Sequence, residues 1–232
     1  MLDHQERISA LSHVLWISGS PCAGKSSIGH AIARTHVFLD YHFDPMERNH
    51  VARSNAQNNP ALMEFLAMDM EQRWLSRSPE VMARNVIESW TARFRLVIED
   101  LLAMPREWFI VAEGNFFPES LTSYLADPHQ AIWLVPADAL CERVRRQRNA
   151  ERVKRQKSAG MYQETGYTEE RRLRNIIDRD CYLAHYVKSQ AEIRRLPIYE
   201  VDGSRSLDEM TLLVENHFEP YIVKRLSQME HL

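Results

Sequence analysis

Gly19-Ser20-Pro21-Cys22-Ala23-Gly24-Lys25-Ser26 decides the reading of this chain, because it fits the pattern G-x-x-x-x-G-K-[ST] at every fixed position. Each fixed position answers a demand that a polyphosphate makes. The glycines let the backbone curl so that successive N–H groups converge on phosphate oxygens. Lys25 offers a mobile charge to the outer phosphates, and Ser26 offers a hydroxyl to Mg²⁺. The segments on either side agree with this reading. His13-Val14-Leu15-Trp16-Ile17-Ser18 is an apolar run of the kind that forms a buried parallel strand. Ser27-Ile28-Gly29-His30-Ala31-Ile32-Ala33-Arg34 places Ile28 and Ile32 four residues apart, as a helix facing a sheet does. A helix starting in the loop adds its positive N-terminal end to the site. With only 7 Gly and five Lys in 232 residues, composition alone gives such a match little chance. A nucleotide or other polyphosphate is therefore expected at Gly19 to Ser27.

The rest of the composition sets limits. The chain is long enough for one α/β domain with insertions. Its net charge of −3 argues against a general nucleic-acid binder. Arg supplies 24 of the 29 basic residues, a bias that suits bidentate phosphate contacts and that GC-rich coding also produces. Cys22, Cys141 and Cys181 are far apart and show no metal-ligand spacing. No signal peptide is visible, and no apolar run approaches the roughly 20 residues of a membrane span. A reduced, cytoplasmic protein without membrane or nucleic-acid partners is the expectation. Cys22 lies where the helix terminus and Lys25 favour a thiolate, but a small loop-filling residue is the expected role.

Four more short apolar segments read as strands: Val37–Asp40, Trp108–Ala112, Ala131–Val135 and Pro197–Val201. Helix-like sequence separates each from the next, which predicts a parallel sheet with helices on both faces. Two stretches exceed what a simple crossover needs. Asp44 to Met104 is helical in character, with Leu62, Phe65, Leu66 and Asp69 at helical spacing and a break at Ser78-Pro79. From Glu80 to Leu102 a longer helix carries Trp90 and Phe94, which read as core, and Ser78 with Pro79 makes a good N-terminus. The second stretch, Ala139 to Lys157, reads as a helix carrying Arg143, Arg145, Arg146, Arg148, Arg152 and Arg155. Arg145, Arg148 and Arg152 share one face, and Arg143 and Arg146 share another. A looser piece from Ser158 to Tyr167 leads to Arg171, Arg172 and Arg174. A charge run is ordinarily a solvated face. Beside a phosphate loop, arginines on a mobile segment also suit phosphoryl transfer, which must neutralise the equatorial oxygens.

With these features in place the chain resembles the nucleoside-monophosphate-kinase-like group of P-loop kinases, which includes shikimate, gluconate and adenylylsulfate kinases and chloramphenicol phosphotransferase. Two stretches carry the likeness: Gly19 to Ser26, and Val201-Asp202-Gly203-Ser204-Arg205-Ser206-Leu207-Asp208-Glu209. The latter is similar to the loop that borders adenine in these kinases, and Ser206 with Glu209 also reads as a capping box. The resemblance implies a three-layer P-loop NTPase fold with a five-stranded parallel sheet in the order 2-3-1-4-5. It implies one domain over residues 1–232, with a core at about 8–44, 105–140 and 195–232. A helical acceptor-binding insertion would occupy about 45–104 and an Arg-rich lid about 141–175. It further implies ATP and Mg²⁺ as cofactors, Gly203, Ser204 and Arg205 at the adenine, and Arg143 and Arg146 in the place of the lid-helix arginines. No Asn-Lys-x-Asp motif points to a GTPase, and Val111-Ala112-Glu113-Gly114 is not the strand end of a mechanical ATPase.

The expected activity is transfer of a γ-phosphate to a small-molecule acceptor. Asp40, at the end of the second strand, is the leading base for a hydroxyl acceptor and, with Ser26 and Glu113, a candidate Mg²⁺ ligand. Asp44 and His42 are alternatives, Asp44 also being a turn former before Pro45. Glu113, Asn115 and Phe116 sit at the ligand-bearing edge of the sheet, and Arg84 and Arg93 in the insertion suit an anionic acceptor. A nucleotide or nucleoside kinase, and a nucleotide-dependent switch or ATPase module without acceptor, are the competing readings.

Overall fold

The computed structural model describes residues 3–161 and 167–229. Along the chain run α1 (His4–Ala10), β1 (Val14–Gly19), α2 (Lys25–His36), β2 (Leu39–His42), α3 (Glu47–Ala52), α4 (Pro60–Ala67), α5 (Met70–Trp74) and α6 (Pro79–Leu102). After these come β3 (Ile110–Glu113), α7 (Pro118–Leu121), β4 (Ala131–Pro136), α8 (Asp138–Ser158), α9 (Tyr167–Ile193), β5 (Ile198–Val201) and α10 (Leu207–Met229).

The five strands form one parallel sheet in the order β2-β3-β1-β4-β5. Its central strand explains why. All six residues of β1 are buried, so both faces of the strand need cover, which parallel crossovers supply with helices. The period-2 alternation sorts the side chains. Val14 and Trp16 of β1, Ile110 and Ala112 of β3, and Trp133 and Val135 of β4 point to one face. There they meet Phe94, Val97 and Leu101 of α6 and Leu183 and Val187 of α9. Leu15, Ile17, Val111, Ile132 and Leu134 point to the other face, against Ile28 and Ile32 of α2 and Val214 and Phe218 of α10.

The insertion and the arginine helix form where expected, with local corrections. Ser78 Oγ accepts from Val81 N at 3.3 Å and caps α6, with Pro79 at its first position. The Ser206–Glu209 box caps α10: Ser206 N donates to Glu209 Oε2 at 2.7 Å and Glu209 N to Ser206 Oγ at 3.3 Å. The second strand starts two residues later than its apolar sequence suggests. Val37 is consumed by the left-handed C-cap of α2, at φ 56°, and lies exposed. Asp40 therefore sits inside β2 rather than at its end. The third strand likewise slides to Ile110–Glu113, leaving Trp108 exposed. Beyond the arginine helix, α9 is a 27-residue helix that packs on α6, α8 and β4, so the end of the expected lid, from Tyr167 on, belongs to a helix anchored in the core. Half of the looser piece, residues 162–166, falls outside the described residues. No helix among the described residues is long and apolar enough to cross a membrane.

Candidate active site

A cleft of about 230 Å³ opens at the carboxyl ends of β1 and β3. Its floor is the loop from Pro21 to Ser27, and its walls carry Asp44, Trp90, Glu113, Gly114, Asn115, Arg145, Arg148 and Arg179. Acids and arginines from four separate elements meet over one glycine-rich loop.

The loop is shaped by its first glycine. Gly19 closes β1 at φ 135°, and a Cβ there would lie 1.8 Å from Leu134 O, so no other residue fits between β1 and β4. Ser20 N then donates to Leu134 O at 3.2 Å and fixes where the loop departs from the sheet. Lys25 is buried at the start of α2. Its Nζ donates to Ser20 O at 2.6 Å and to Asn115 Oδ1 at 3.0 Å. Burial pushes the Lys25 pKa down, while nearby Glu113 and Asp44 oppose that effect. No carboxylate among the described residues bonds the ammonium directly. A buried cation held by neutral oxygens next to a concave backbone is poised for an anion. Ser20 Oγ is also buried without a partner among the described residues. Both features fit a phosphate chain.

Asn115 is held in place by its neighbour. The Phe116 backbone N donates to Ser18 Oγ at 3.0 Å, and Phe116 O accepts from Trp133 Nε1 at 3.0 Å. Phe116 itself is not a pocket residue. Its ring is 2 % exposed and packs edge-on against Trp16 and Phe43 in the core. Trp90, by contrast, reaches the cleft. It stacks on Phe117 with centroids 6.1 Å apart and presents ring surface beside Asp44. Helical spacing alone assigned it to the core, because it has core neighbours on one side and the cleft on the other.

Glu113, at the end of β3, lines the cleft and is 3 % exposed. Its Oε1 lies 2.8 Å from His42 Nδ1, and His42 Nε2 lies 2.7 Å from Asp40 Oδ2. The hydrogen bond to Glu113 raises the His42 pKa to about 9; burial works against it and Asp40 adds to it. His42 is thus an imidazolium clamped between two carboxylates, which leaves it no capacity to act as a base near neutral pH. Asp40 lies on the α2 side of β2, where His30 Nδ1 also reaches it at 3.2 Å, and it does not line the cleft. The expectation that Asp40 is the base or a Mg²⁺ ligand within the cleft is corrected; its ligand atoms lie instead within 4.8 Å of those of His30 and His42. The acid that does line the cleft on this side is Asp44, two residues beyond the strand.

The acceptor arginines are corrected too. Arg84 is exposed and pairs with Glu80 at 3.4 Å, one helical turn away. Arg93 is 3 % exposed, with its guanidinium 3.9 Å from the centre of the Phe43 ring, where it donates to Phe43 O and faces His50 Nδ1. Neither lines the cleft. Arg93 joins Tyr41, His50, Arg53 and Asp100 in a buried network; His50 Nε2 donates to Asp100 Oδ2 at 2.8 Å. Burial keeps His50 in its neutral form.

The lid arginines divide by helix face. Arg146 pairs with Glu142 at 2.9 Å and with Glu170 at 3.1 Å on the solvent side. Arg143 lies over Gly203, where an added Cβ would fall 2.2 Å from its guanidinium. It therefore borders the Gly203–Arg205 loop rather than the cleft, with Arg205 over the Tyr199 ring at 5.3 Å. The opposite face delivers Arg145 and Arg148 to the cleft, and α9 adds Arg179, which sequence reasoning missed. Asp180, fully buried, holds two of them: Arg145 bonds one carboxylate oxygen, and Arg179 donates to the other at 2.7 and 3.0 Å. Arg148 makes no ion pair or hydrogen bond among the described residues. The cysteines also converge: Cys22, Cys141 and Asp180 place their ligand atoms within 4.8 Å of one another. Neither a family model nor a curated protein matched this chain.

Proposed function

We propose that this protein is a P-loop kinase that uses ATP and Mg²⁺ to phosphorylate a hydroxyl group on a small molecule. The observation that carries the reading is the cleft itself, where a glycine-rich loop with a buried lysine faces two acids and three arginines. Bound there, Mg·ATP would supply the transferable phosphoryl group and the charge that activates it. The loop N–H groups and Lys25 would hold the phosphates, with Ser26 and Glu113 at the metal side. Arg143 and the Gly203–Arg205 loop would border the base.

The remaining chemistry belongs to this chain's own side chains. Asp44 accepts the acceptor's hydroxyl proton; it lines the cleft and makes no ion pair among the described residues. Arg148 is free to contact the phosphoryl oxygens, and Arg145 and Arg179 supply fixed positive charge, aimed by Asp180. Trp90 gives the acceptor a flat apolar wall beside Asp44. Arg84 and Arg93, the arginines expected to clamp a phosphate-bearing acceptor, both lie outside the cleft. That favours an alcohol acceptor over a phosphate. A cytoplasmic location belongs to the same proposal.

Calorimetric titration of Mg·ATP into wild type and Lys25→Ala tests the donor site. Binding should weaken at least about tenfold in the variant, in line with loss of a charge-assisted contact. Equal binding would remove the loop from the account. ADP release that no acceptor stimulates, across alcohols, nucleosides, nucleoside monophosphates and aminoglycoside- or phenicol-like compounds, would instead favour an ATPase or switch module.

A further inference from the structure

The chain has three cysteines, of which Cys22 lies more than a hundred residues before the other two, and the fold brings Cys22 and Cys141 together beside Asp180. Cys22 belongs to the loop and lines the cleft. Cys141 is in the first turn of α8, fully buried, with its Sγ within 4.8 Å of Cys22 Sγ. Cys181, on α9, also interacts with Cys141. This arrangement is not needed for binding phosphate or for any step assigned above.

We propose that Cys22 and Cys141 form a reversible oxidative modification site, at which a hydroperoxide converts the pair to a disulfide that locks the loop to α8. The geometry divides the labour between the two thiols. Cys22 is the one with access to the cleft, and it sits beside the guanidinium groups of Arg145 and Arg148. Hydrogen bonding from Cys141, helped by those arginines and opposed by burial, brings its pKa down to about 7. An attacking thiol that titrates near ambient pH has the best balance of thiolate fraction and nucleophilicity. Cys141 is pushed up by its bond to Cys22 and by burial, so it stays protonated.

The steps balance. The Cys22 thiolate attacks one oxygen of the peroxide, the O–O bond breaks, and Cys22 sulfenic acid and hydroxide form. Cys141 sulfur then attacks the Cys22 sulfur; the S–O bond breaks, and the leaving hydroxide takes the Cys141 proton to become water. One peroxide is reduced and two thiols are oxidised. A thiol reductant reverses the change, as suits a cytosolic sensor rather than a structural bridge.

A divalent metal at Cys22, Cys141 and Asp180 is the competing occupant of the same atoms. It is disfavoured by the arginines, since Asp180 already spends both oxygens on Arg145 and Arg179. The disulfide needs no such charge. It would hold Cys22, at φ 72°, against the helix that carries Arg145 and Arg148, and so fix the floor and one wall of the cleft together.

The test is peptide mapping of the purified full chain, with and without hydrogen peroxide, under non-reducing conditions. The expected product is about 2 Da lighter, with the Cys22 peptide joined to the Cys141 peptide, and dithiothreitol restores the original mass. Cys181→Ser should keep the cross-link. Cys141→Ser should abolish it and leave Cys22 as an oxidised monothiol about 16 or 32 Da heavier. A cross-link between any other pair, or a free Cys22 thiol after the remaining cysteines have oxidised, would overturn the proposal. So would stoichiometric zinc retained by the wild type and protecting all three thiols. None of these readouts depends on kinase activity, so this proposal and the proposed function fail separately; the loss of Mg·ATP binding expected after oxidation is the one readout that joins them.

Discussion

Arg179 donates two hydrogen bonds, at 2.7 and 3.0 Å, to one oxygen of Asp180, its immediate neighbour in sequence. The other oxygen holds Arg145, so one buried carboxylate aims two helices' arginines into the same cleft. Asp180→Asn removes the charge and leaves both guanidinium groups partly buried without a counter-ion. Breaking such a pair costs about 3 kcal/mol. The urea midpoint should fall accordingly, and Arg145→Ala in the Asp180→Asn background should recover part of the loss. A midpoint equal to wild type in Asp180→Asn would show that the pairs do not bear on stability.

Gly19→Ala probes the bend that opens the loop. A methyl group 1.8 Å from Leu134 O at φ 135° can be relieved only by separating β1 from β4. The expected cost is on the order of 3 kcal/mol, together with loss of Mg·ATP binding. A variant with wild-type stability would mean that the loop leaves the sheet differently.

The His42 clamp predicts a pH dependence. The ordinary value is 6.5 and the folded value about 9, so the folded protein binds more protons between them. The contribution of the clamp is complete below about 6.5 and fades as pH rises through 9. Measured in EDTA, the melting-temperature advantage of wild type over His42→Gln should shrink across that window. An advantage that stays constant from pH 6 to about 10 would contradict the clamp.

Asp44→Asn and Asp40→Asn separate the two acids. Loss of the base should lower transfer by roughly 10²–10⁴ in Asp44→Asn. Asp40 acts through His42 on Glu113, so Asp40→Asn should cost about tenfold, the scale of a group that orients another. The reverse order would return the base role to Asp40.

The sheet was legible because its signals are local: the apolar runs of β1 and β4, the loop after β1, and the Ser78-Pro79 start of α6 each follow from a few adjacent residues. Long-range choices were not. Asp40 and Asp44 differ only in where β2 begins, and that depends on Val37 adopting a helix cap. Both faces of α8 are basic in sequence, with Arg145, Arg148 and Arg152 on one and Arg143 and Arg146 on another. Which one meets the cleft is set by Asp180, 35 positions beyond Arg145 and buried for a reason that no pattern in its own helix reveals. Arg179 and the cysteine cluster are invisible for the same reason, since their meaning comes from packing between α8, α9 and the loop. Arg93 misled because arginine in an insertion suggests an anion, whereas here Phe43 and His50 enclose it.

The most direct measurement of the central claim is transfer of labelled γ-phosphate from Mg·ATP to a panel of small hydroxyl compounds, run in parallel with wild type, Lys25→Ala and Asp44→Asn. The account predicts at least one acceptor that gains label with wild type, no detectable product with Lys25→Ala, and a loss of roughly 10² or more with Asp44→Asn. Label that passes only to water whatever acceptor is present, or product formed equally well by Lys25→Ala, would contradict it.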